Sequence, residues 1–327
     1  AGYKYSGIAG KWHLGHRREN WLPYKRGFTF HEGCYNGAVD YFTRERDGET
    51  DWHINSKPVK REGYTTDLIG DAAVRFIESV PSGNPFFLYV PFTAPHSPFQ
   101  AKPEDIARYP QREGLKRIYA GMVDCMDQNI GKIIKCIEER GELDQTFIIF
   151  FSDNGGLIKV SDNGNLRGEK LTPYQGGIRV AAAARWPDGG IPSGKVIAER
   201  TGYIDIVPTL LQAAGYRGSL KNKPDGINIL PALRGSPLAD RDWFTYEDQG
   251  DKRIESMAVN NDRWKLVVRR SAPDSENFTR SVQLFQISDD PYETTDLSSQ
   301  YPDTVNKLKG SLNRFYSLKS AKQVPRF

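Results

Sequence analysis

Three short stretches of the chain are apolar almost without interruption, and polar residues gather directly after each of them. They are Tyr-Ser-Gly-Ile-Ala at residues 5–9, the run at residues 86–90, and Phe-Ile-Ile-Phe-Phe at residues 147–151. The last is too short to cross a bilayer and too evenly apolar for a half-exposed strand, so it predicts a central strand buried on both faces. Between these runs the period changes. Leu68, Ile69, Ala72, Ala73, Phe76 and Ile77 recur at helical spacing, with Thr66 as the expected N-cap and Val80-Pro81 as the stop. Ile118, Met122, Met126, Ile130, Ile133, Ile134 and Ile137 predict a long amphipathic helix ending near Gly141. Strand, helix, strand over residues 86–151 implies a right-handed parallel crossover.

Residues 180–184 read as a further strand, and residues 204–214 as a helix with Pro208 in its first turn and Gly215 beyond its end. Past about Asp225 the pattern becomes one of short strands, at 257–260, 264–268 and 283–285, with a hairpin expected at Asp262-Arg263. Tyr301-Pro302-Asp303 opens a last helix whose apolar face is Val305, Leu308, Leu312 and Phe315. The fold class expected is therefore α/β: a mostly parallel sheet flanked by helices over residues 1–234, then a small antiparallel α+β domain over residues 235–327.

Composition narrows the function. The 45 basic and 41 acidic residues leave a formal charge of +4, too slight an excess for nucleic acid and compatible with an anionic small substrate. No apolar run is long enough for a membrane span. Cys34, Cys125 and Cys136 show neither CxxC nor Cys/His metal spacing. Cys125 and Cys136 fall on one predicted helix, where a rise of roughly 1.5 Å per residue puts them beyond disulfide reach. The chain opens Ala1-Gly2-Tyr3, with no initiator Met and no signal peptide, so a truncated or processed chain is expected.

The polar residues after each apolar run carry the candidate chemistry. Asp153 and Asn154, in Ser152-Asp153-Asn154-Gly155-Gly156, place oxygen donors of the kind hard cations take at a strand end, although the same residues are ordinary turn formers. Lys170, in Leu-Arg-Gly-Glu-Lys, sits on a glycine-rich segment able to bend back toward that acid. Lys11 and His13 follow the first run, and an extended backbone would point both side chains the same way. His96 follows the second, on a loop fixed by Pro95 and Pro98. Each is unremarkable alone. A parallel sheet, however, would carry all three loops to one edge, where open α/β folds keep their sites.

Taken in order, GKWHLG at 10–15, APHSPF at 94–99, YAGMVDCMDQNIG at 119–131, SDNGG at 152–156 and LRGEKLTPYQGGIRV at 166–180 resemble the formylglycine-dependent (type I) sulfatases of the alkaline phosphatase superfamily. The likeness extends through Asp205-Ile206-Val207-Pro208-Thr209-Leu210 to LFQISDDPYETTDL at 284–297, and the early segments look most like the arylsulfatase B branch. The resemblance implies an alkaline phosphatase-like fold and a sulfuric ester hydrolase removing sulfate from a sulfated glycan or an aryl sulfate. It implies that Asp153 and Asn154 are calcium ligands and that Lys11 and His13 lie beside the formylglycine, where His13 takes a proton. It implies that His96 contacts the ester and sulfate oxygens, and that Lys170 is the second sulfate-binding lysine. A formylglycine-generating or sulfatase-maturing enzyme would be a partner, and the family's usual export points to periplasm, lysosome or the extracellular space.

Four departures from the family pattern stand out. Gln175 replaces the usual Glu before Gly176-Gly177, and Ala181 the usual Pro. No cysteine lies in a C/S-x-P/A-x-R motif, and the paired early aspartates that complete the calcium site are missing. The expectation is a sulfatase chain lacking its N-terminal part and inactive alone. The alternatives are a phosphodiesterase or phosphonate hydrolase of the same superfamily, or a non-catalytic glycan-binding relative. Asn277-Phe278-Thr279 is a glycosylation sequon.

Overall fold

The computed structural model describes residues 1–249, 254–271 and 279–316. The sequon at Asn277 lies outside the described residues. The chain divides into two compact units: residues 1–147 with 186–189 and 214–218, and residues 148–185 with 190–213 and 219–327. The change of pattern along the sequence predicts instead a single boundary between residues 234 and 235.

The strands of the first unit are β1 (Tyr5–Ala9), β2 (Phe30–Gly33), β3 (Glu45–Arg46), β4 (Glu49–Thr50), β5 (His53–Ile54), β6 (Lys57–Pro58) and β7 (Phe86–Tyr89). Its helices are α1 (Thr65–Ser79), α2 (Pro103–Ala107) and α3 (Gly114–Glu139). A mixed five-stranded sheet runs β6-β5-β2-β1-β7, with β1 parallel to both β2 and β7, and β5 antiparallel to β2 and β6. On one face, Phe76 and Ile77 of α1, Val80 just past its end and Ile137 of α3 form a core with Tyr5, Phe30, Phe86 and Leu88. Elsewhere Ile8, Trp12 and Tyr35 cluster with Leu22 and Phe28. The α1 stripe buries except for half-buried Leu68, while on α3 Met122 and Ile137 are buried and the rest of the predicted stripe is half-buried.

The capping assignment does not hold. The residue preceding α1 is Tyr64, and no side chain caps the helix; Thr66 is buried inside the first turn, its Oγ1 without a hydrogen-bond partner. Thr65 instead uses its hydroxyl to donate to the carbonyl of Tyr41 at 2.8 Å.

In the second unit lie β8 (Ile148–Phe151), β9 (Ala182–Arg185), β10 (Trp243–Gln249), β11 (Ile254–Asn260), β12 (Lys265–Ser271) and β13 (Thr279–Phe285). Its helices are α4 (Gln175–Ile178), α5 (Ile206–Ala213), α6 (Leu230–Leu233) and α7 (Pro302–Tyr316). The order β10-β11-β12-β13 is antiparallel throughout, and the β11–β12 hairpin turns at Asp262-Arg263 as its sequence predicts. The period of two divides the sheet cleanly. Met257, Val259, Leu266, Val268 and Leu284 face Val305, Leu308 and Leu312 of α7, while Ala258, Val267 and Phe285 face the other way, toward Ile287 and Tyr174. Each fully buried leucine on such a face contributes about 1.5–3 kcal/mol. Phe315, expected in the helix core, is exposed and stacks on Phe244 with ring centroids 4.5 Å apart.

Residues 147–151 depart from expectation. Among the described residues β8 pairs antiparallel with β9 in a two-stranded ladder, in place of the parallel pairing expected of it. Phe150 and Phe151 are 39% and 38% exposed. An apolar run reports that a strand wants cover, but its partners are set by long-range pairing that the run does not encode. β7 likewise ends its sheet, with Phe87 and Tyr89 exposed.

Candidate functional site

In the first unit the candidate residues stand at the carboxyl ends of neighbouring parallel strands. The segment after β1 is stitched on both sides by its backbone: Gly10 and Trp12 donate to the carbonyls of Glu32 and Cys34 at 2.8 and 2.9 Å, and Lys11 donates to Pro91 at 2.9 Å. Pro91 begins the loop after β7, so Lys11 and His13 are joined to the loop of His96 through one backbone bond. Gly10 has φ +125°, and a Cβ there would stand 2.3 Å from the Pro91 carbonyl oxygen, so only glycine fits.

His13 does not continue the extended chain. Its φ is +52° while its N–H donates to the carbonyl of Tyr35 at 3.0 Å, so a period of two does not set its direction relative to Lys11. The ring is set by Gly37, whose missing side chain leaves room for it. Asp51 holds that turn: its carboxylate accepts the N–H groups of Tyr35 and Asn36 at 2.9 and 2.8 Å and the Asn36 side-chain amide at 2.9 Å. His96 is anchored as firmly. Tyr41 donates its hydroxyl to the His96 carbonyl at 2.9 Å, and His96 Nδ1 lies 2.8 Å from the Ser97 carbonyl oxygen. A carbonyl only accepts, so Nδ1 carries the proton and Nε2 is left for chemistry.

The second unit brings Asp153, Asn154 and Lys170 together by stitching their two loops. Gly155 donates to the Gly177 carbonyl at 2.9 Å, and Lys170 donates to the Gly156 carbonyl at 3.3 Å. Asn163 completes the stitch. Its Oδ1 accepts the Gly156 N–H at 3.0 Å, and its amide donates to the Gly156 carbonyl at 2.9 Å. Asn163 belongs to a second Ser-Asp-Asn-Gly, residues 161–164, and that repetition was the available signal for its role. Glu247 on β10 feels the charge of Lys170, although burial raises its carboxyl above the ordinary range.

Asp153 is exposed, and Asn154 donates its amide to the Gly155 carbonyl at 3.1 Å, leaving its side-chain oxygen as an acceptor. These oxygens fit calcium in kind. They fall short of its roughly six to eight ligands in number. Among the described residues no group of three or more His, Cys, Asp or Glu side chains forms a metal site. A thiol nucleophile is equally poorly served. Burial pushes Cys34 up to about 12 and raises Cys125 and Cys136 as well, so none ionises readily near neutral pH.

With this geometry in view, likeness to known proteins defines the class. The family model described as Sulfatase matches residues 1–216, and the chain belongs to the sulfatase family. It is 29% identical to arylsulfatase J of Mus musculus over 94% of this chain and 59% of that protein. It is 34% identical to N-acetylgalactosamine-6-sulfatase of Homo sapiens over 75% of this chain and 49% of that protein. The chain thus spans between about half and three-fifths of these relatives. Among solved structures, Ps i-CgsB in complex with k-i-k-neocarrahexaose superposes with a TM-score of 0.85 at 29% identity, covering 96% of this chain and 71% of that one. The fold is that of the alkaline phosphatase-like sulfatases: a mixed sheet with helices, and a C-terminal antiparallel sheet.

Proposed function

We propose that this chain supplies the charge-stabilising and proton-handling residues of a sulfuric ester hydrolase acting on a sulfated glycan or aryl sulfate. Lys11, His13, His96 and Lys170 are its catalytic residues, His96 and Lys170 contact the substrate, and Asp153 and Asn154 are metal ligands. The observation carrying the reading is the Lys11–Pro91 backbone bond, which joins the lysine and histidine of GKWHLG to the loop of His96.

The chemistry follows from what a sulfate ester needs. Its oxygens are anionic, and the ammonium groups of Lys11 and Lys170 neutralise charge on them most effectively where water is excluded. The departing ester oxygen needs a proton, which His96 gives from Nε2 once both ring nitrogens carry one, while its Nδ1–H bond to the Ser97 carbonyl holds the ring. His13, lodged against Gly37, takes up a proton on the nucleophile's side. Asp153 and Asn154 would hold calcium, which would supply further charge stabilisation there.

The nucleophile of the family is formylglycine, and turnover needs a C/S-x-P/A-x-R segment that none of the three cysteines provides. A formylglycine-generating or sulfatase-maturing enzyme is then a partner, and an exported setting (periplasm, lysosome or outside the cell) follows. No helix among the described residues is long and apolar enough to cross a membrane.

The test is hydrolysis of aryl sulfates and aryl phosphates with calcium, by the 327-residue chain and by a protein joining it to such a motif. Sulfate turnover is expected only in the second, and faster than phosphate turnover. Preference for phosphate or phosphonate esters assigns the chain to the other superfamily chemistry. Glycan binding without turnover in the motif-bearing protein makes it a binding module.

A further inference from the structure

Glu293 is remote in sequence from every residue given a role above, and it is completely buried at 0% exposure. Its carboxylate is divided between two partners. Oε1 lies 2.6 Å from Nζ of Lys265, which is also 0% exposed, and Oε2 accepts the backbone N–H of Gln175 at 2.7 Å. Its backbone carbonyl accepts a bond from Arg167 Nη1 at 2.9 Å. Glu293 holds this arrangement at φ +58°, a conformation non-glycine residues seldom adopt.

Arg167 and Gln175 are the two ends of the turn that carries Lys170. Gly176 donates to the Arg167 carbonyl at 2.7 Å and closes that turn on itself. The guanidinium of Arg167 is sandwiched against Tyr174 and Phe285, 4.4 and 5.3 Å from the ring centroids, and Tyr174 donates its hydroxyl to Gln283 at 2.6 Å. The turn is therefore fastened to the antiparallel sheet at both ends, and Glu293 serves both.

A buried lysine–glutamate pair is a weak source of stability, because desolvation of the two charges offsets most of their attraction, and apolar residues of equal volume often serve as well. The pair here also lacks good hydrogen-bond geometry between Lys265 Nζ and Glu293 Oε1. Burial pulls the Lys265 ammonium below its usual range, which makes the arrangement harder still to account for as a stabilising device. What the carboxylate does have is a directed bond to one backbone N–H at the end of the turn.

We propose that Glu293 is a positioning residue for Lys170, with Lys265 as the buried counter-ion of the carboxylate whose Oε2 pins Gln175. The kinetic consequence rests on the sulfate-binding role proposed for Lys170; the pinning does not. Removing either charge alone would strand the other, so the test removes both. Lys265→Met with Glu293→Gln keeps a side-chain oxygen to accept the Gln175 N–H, whereas Lys265→Met with Glu293→Leu deletes it, and neither leaves an unpaired buried charge.

Amide hydrogen exchange across residues 167–177 is measured in both double variants of the 327-residue chain. Aryl sulfate kcat/KM is measured in the motif-bearing protein. In the Leu pair, exchange is expected to rise, and kcat/KM to fall, by about tenfold or more, the scale of one hydrogen bond to a charged acceptor. The Gln pair is expected to stay within about threefold of the parent in both, since a neutral acceptor retains part of that bond. Equal exchange and equal kinetics in the two pairs would overturn the proposal. Faster exchange in the Leu pair, together with parental turnover for Lys170→Ala, would uphold the pinning and remove the sulfate role of Lys170.

Discussion

The imidazole of His13 lies against the bare backbone of Gly37: a Cβ built there would stand 2.6 Å from both Cε1 and Nε2 of the ring. No side chain fits at residue 37 without turning His13 aside. Gly37→Ala is therefore expected to lower aryl sulfate turnover by at least about tenfold, since a displacement near 1 Å at a reacting group costs up to about 100-fold. The check is kcat/KM and melting temperature measured together. Parental turnover in a stably folded Gly37→Ala protein would take His13 out of the proton transfer.

His96→Ala and Lys170→Ala are each expected to cost about 100-fold or more in sulfate turnover, the scale for one preorganised electrostatic group. A loss below about threefold at either position, measured on the motif-bearing protein, removes that residue from the site.

Asp153→Ala should weaken calcium binding, because a carboxylate ligand becomes a methyl group. Asp153 is exposed, so the fold should survive the change. Calorimetric titration with calcium reads the effect directly, and unaltered affinity would withdraw the ligand assignment.

His31 predicts a pH dependence of stability. It is 1% exposed, and burial holds its imidazole down at about 4 against an ordinary value of 6.5. The unfolded chain takes up this proton as pH falls through 6.5, while the folded chain resists until about 4. The stability it contributes is thus fully present above 6.5 and lost on acidification, up to about 3 kcal/mol by pH 4. Urea unfolding at about pH 7 and about pH 4.5 should show a smaller acid loss for His31→Leu than for the parent. Equal losses would mean that other groups govern the acid limb.

Local periodicity made much of this legible. The stripe from Ile118 to Ile137 and the face of Val305, Leu308 and Leu312 are helices because the spacing of apolar residues is itself the packing surface. The hairpin at Asp262-Arg263 was equally plain. β10 was not, because Trp243–Gln249 mixes aromatic and acidic residues and becomes a strand by pairing with β11. The antiparallel partnership of β8 with β9 joins residues more than thirty apart, and the apolarity of β8 says nothing of its direction. In the candidate site, the residues proposed for chemistry were visible as motifs. Of the residues holding them, Gly37 and Asp51 act across long sequence separations and left no local pattern, whereas Asn163 acts close by within a repeated Ser-Asp-Asn-Gly and Glu293 lies in LFQISDDPYETTDL without a sign of what it touches.

The stretch YAGMVDCMDQNIG, prominent in the resemblance to sulfatases, has a different lesson. In α3, Cys125 and Asn129 both donate to Asp67 of α1, at 3.3 and 2.8 Å, while Gln128 donates at 3.1 Å to Asp105, a carboxylate 3.4 Å from Lys102. These residues rivet the helices to one another. A genome survey keyed to this stretch therefore counts scaffolds, whatever the loops after β1, β7 and β8 carry.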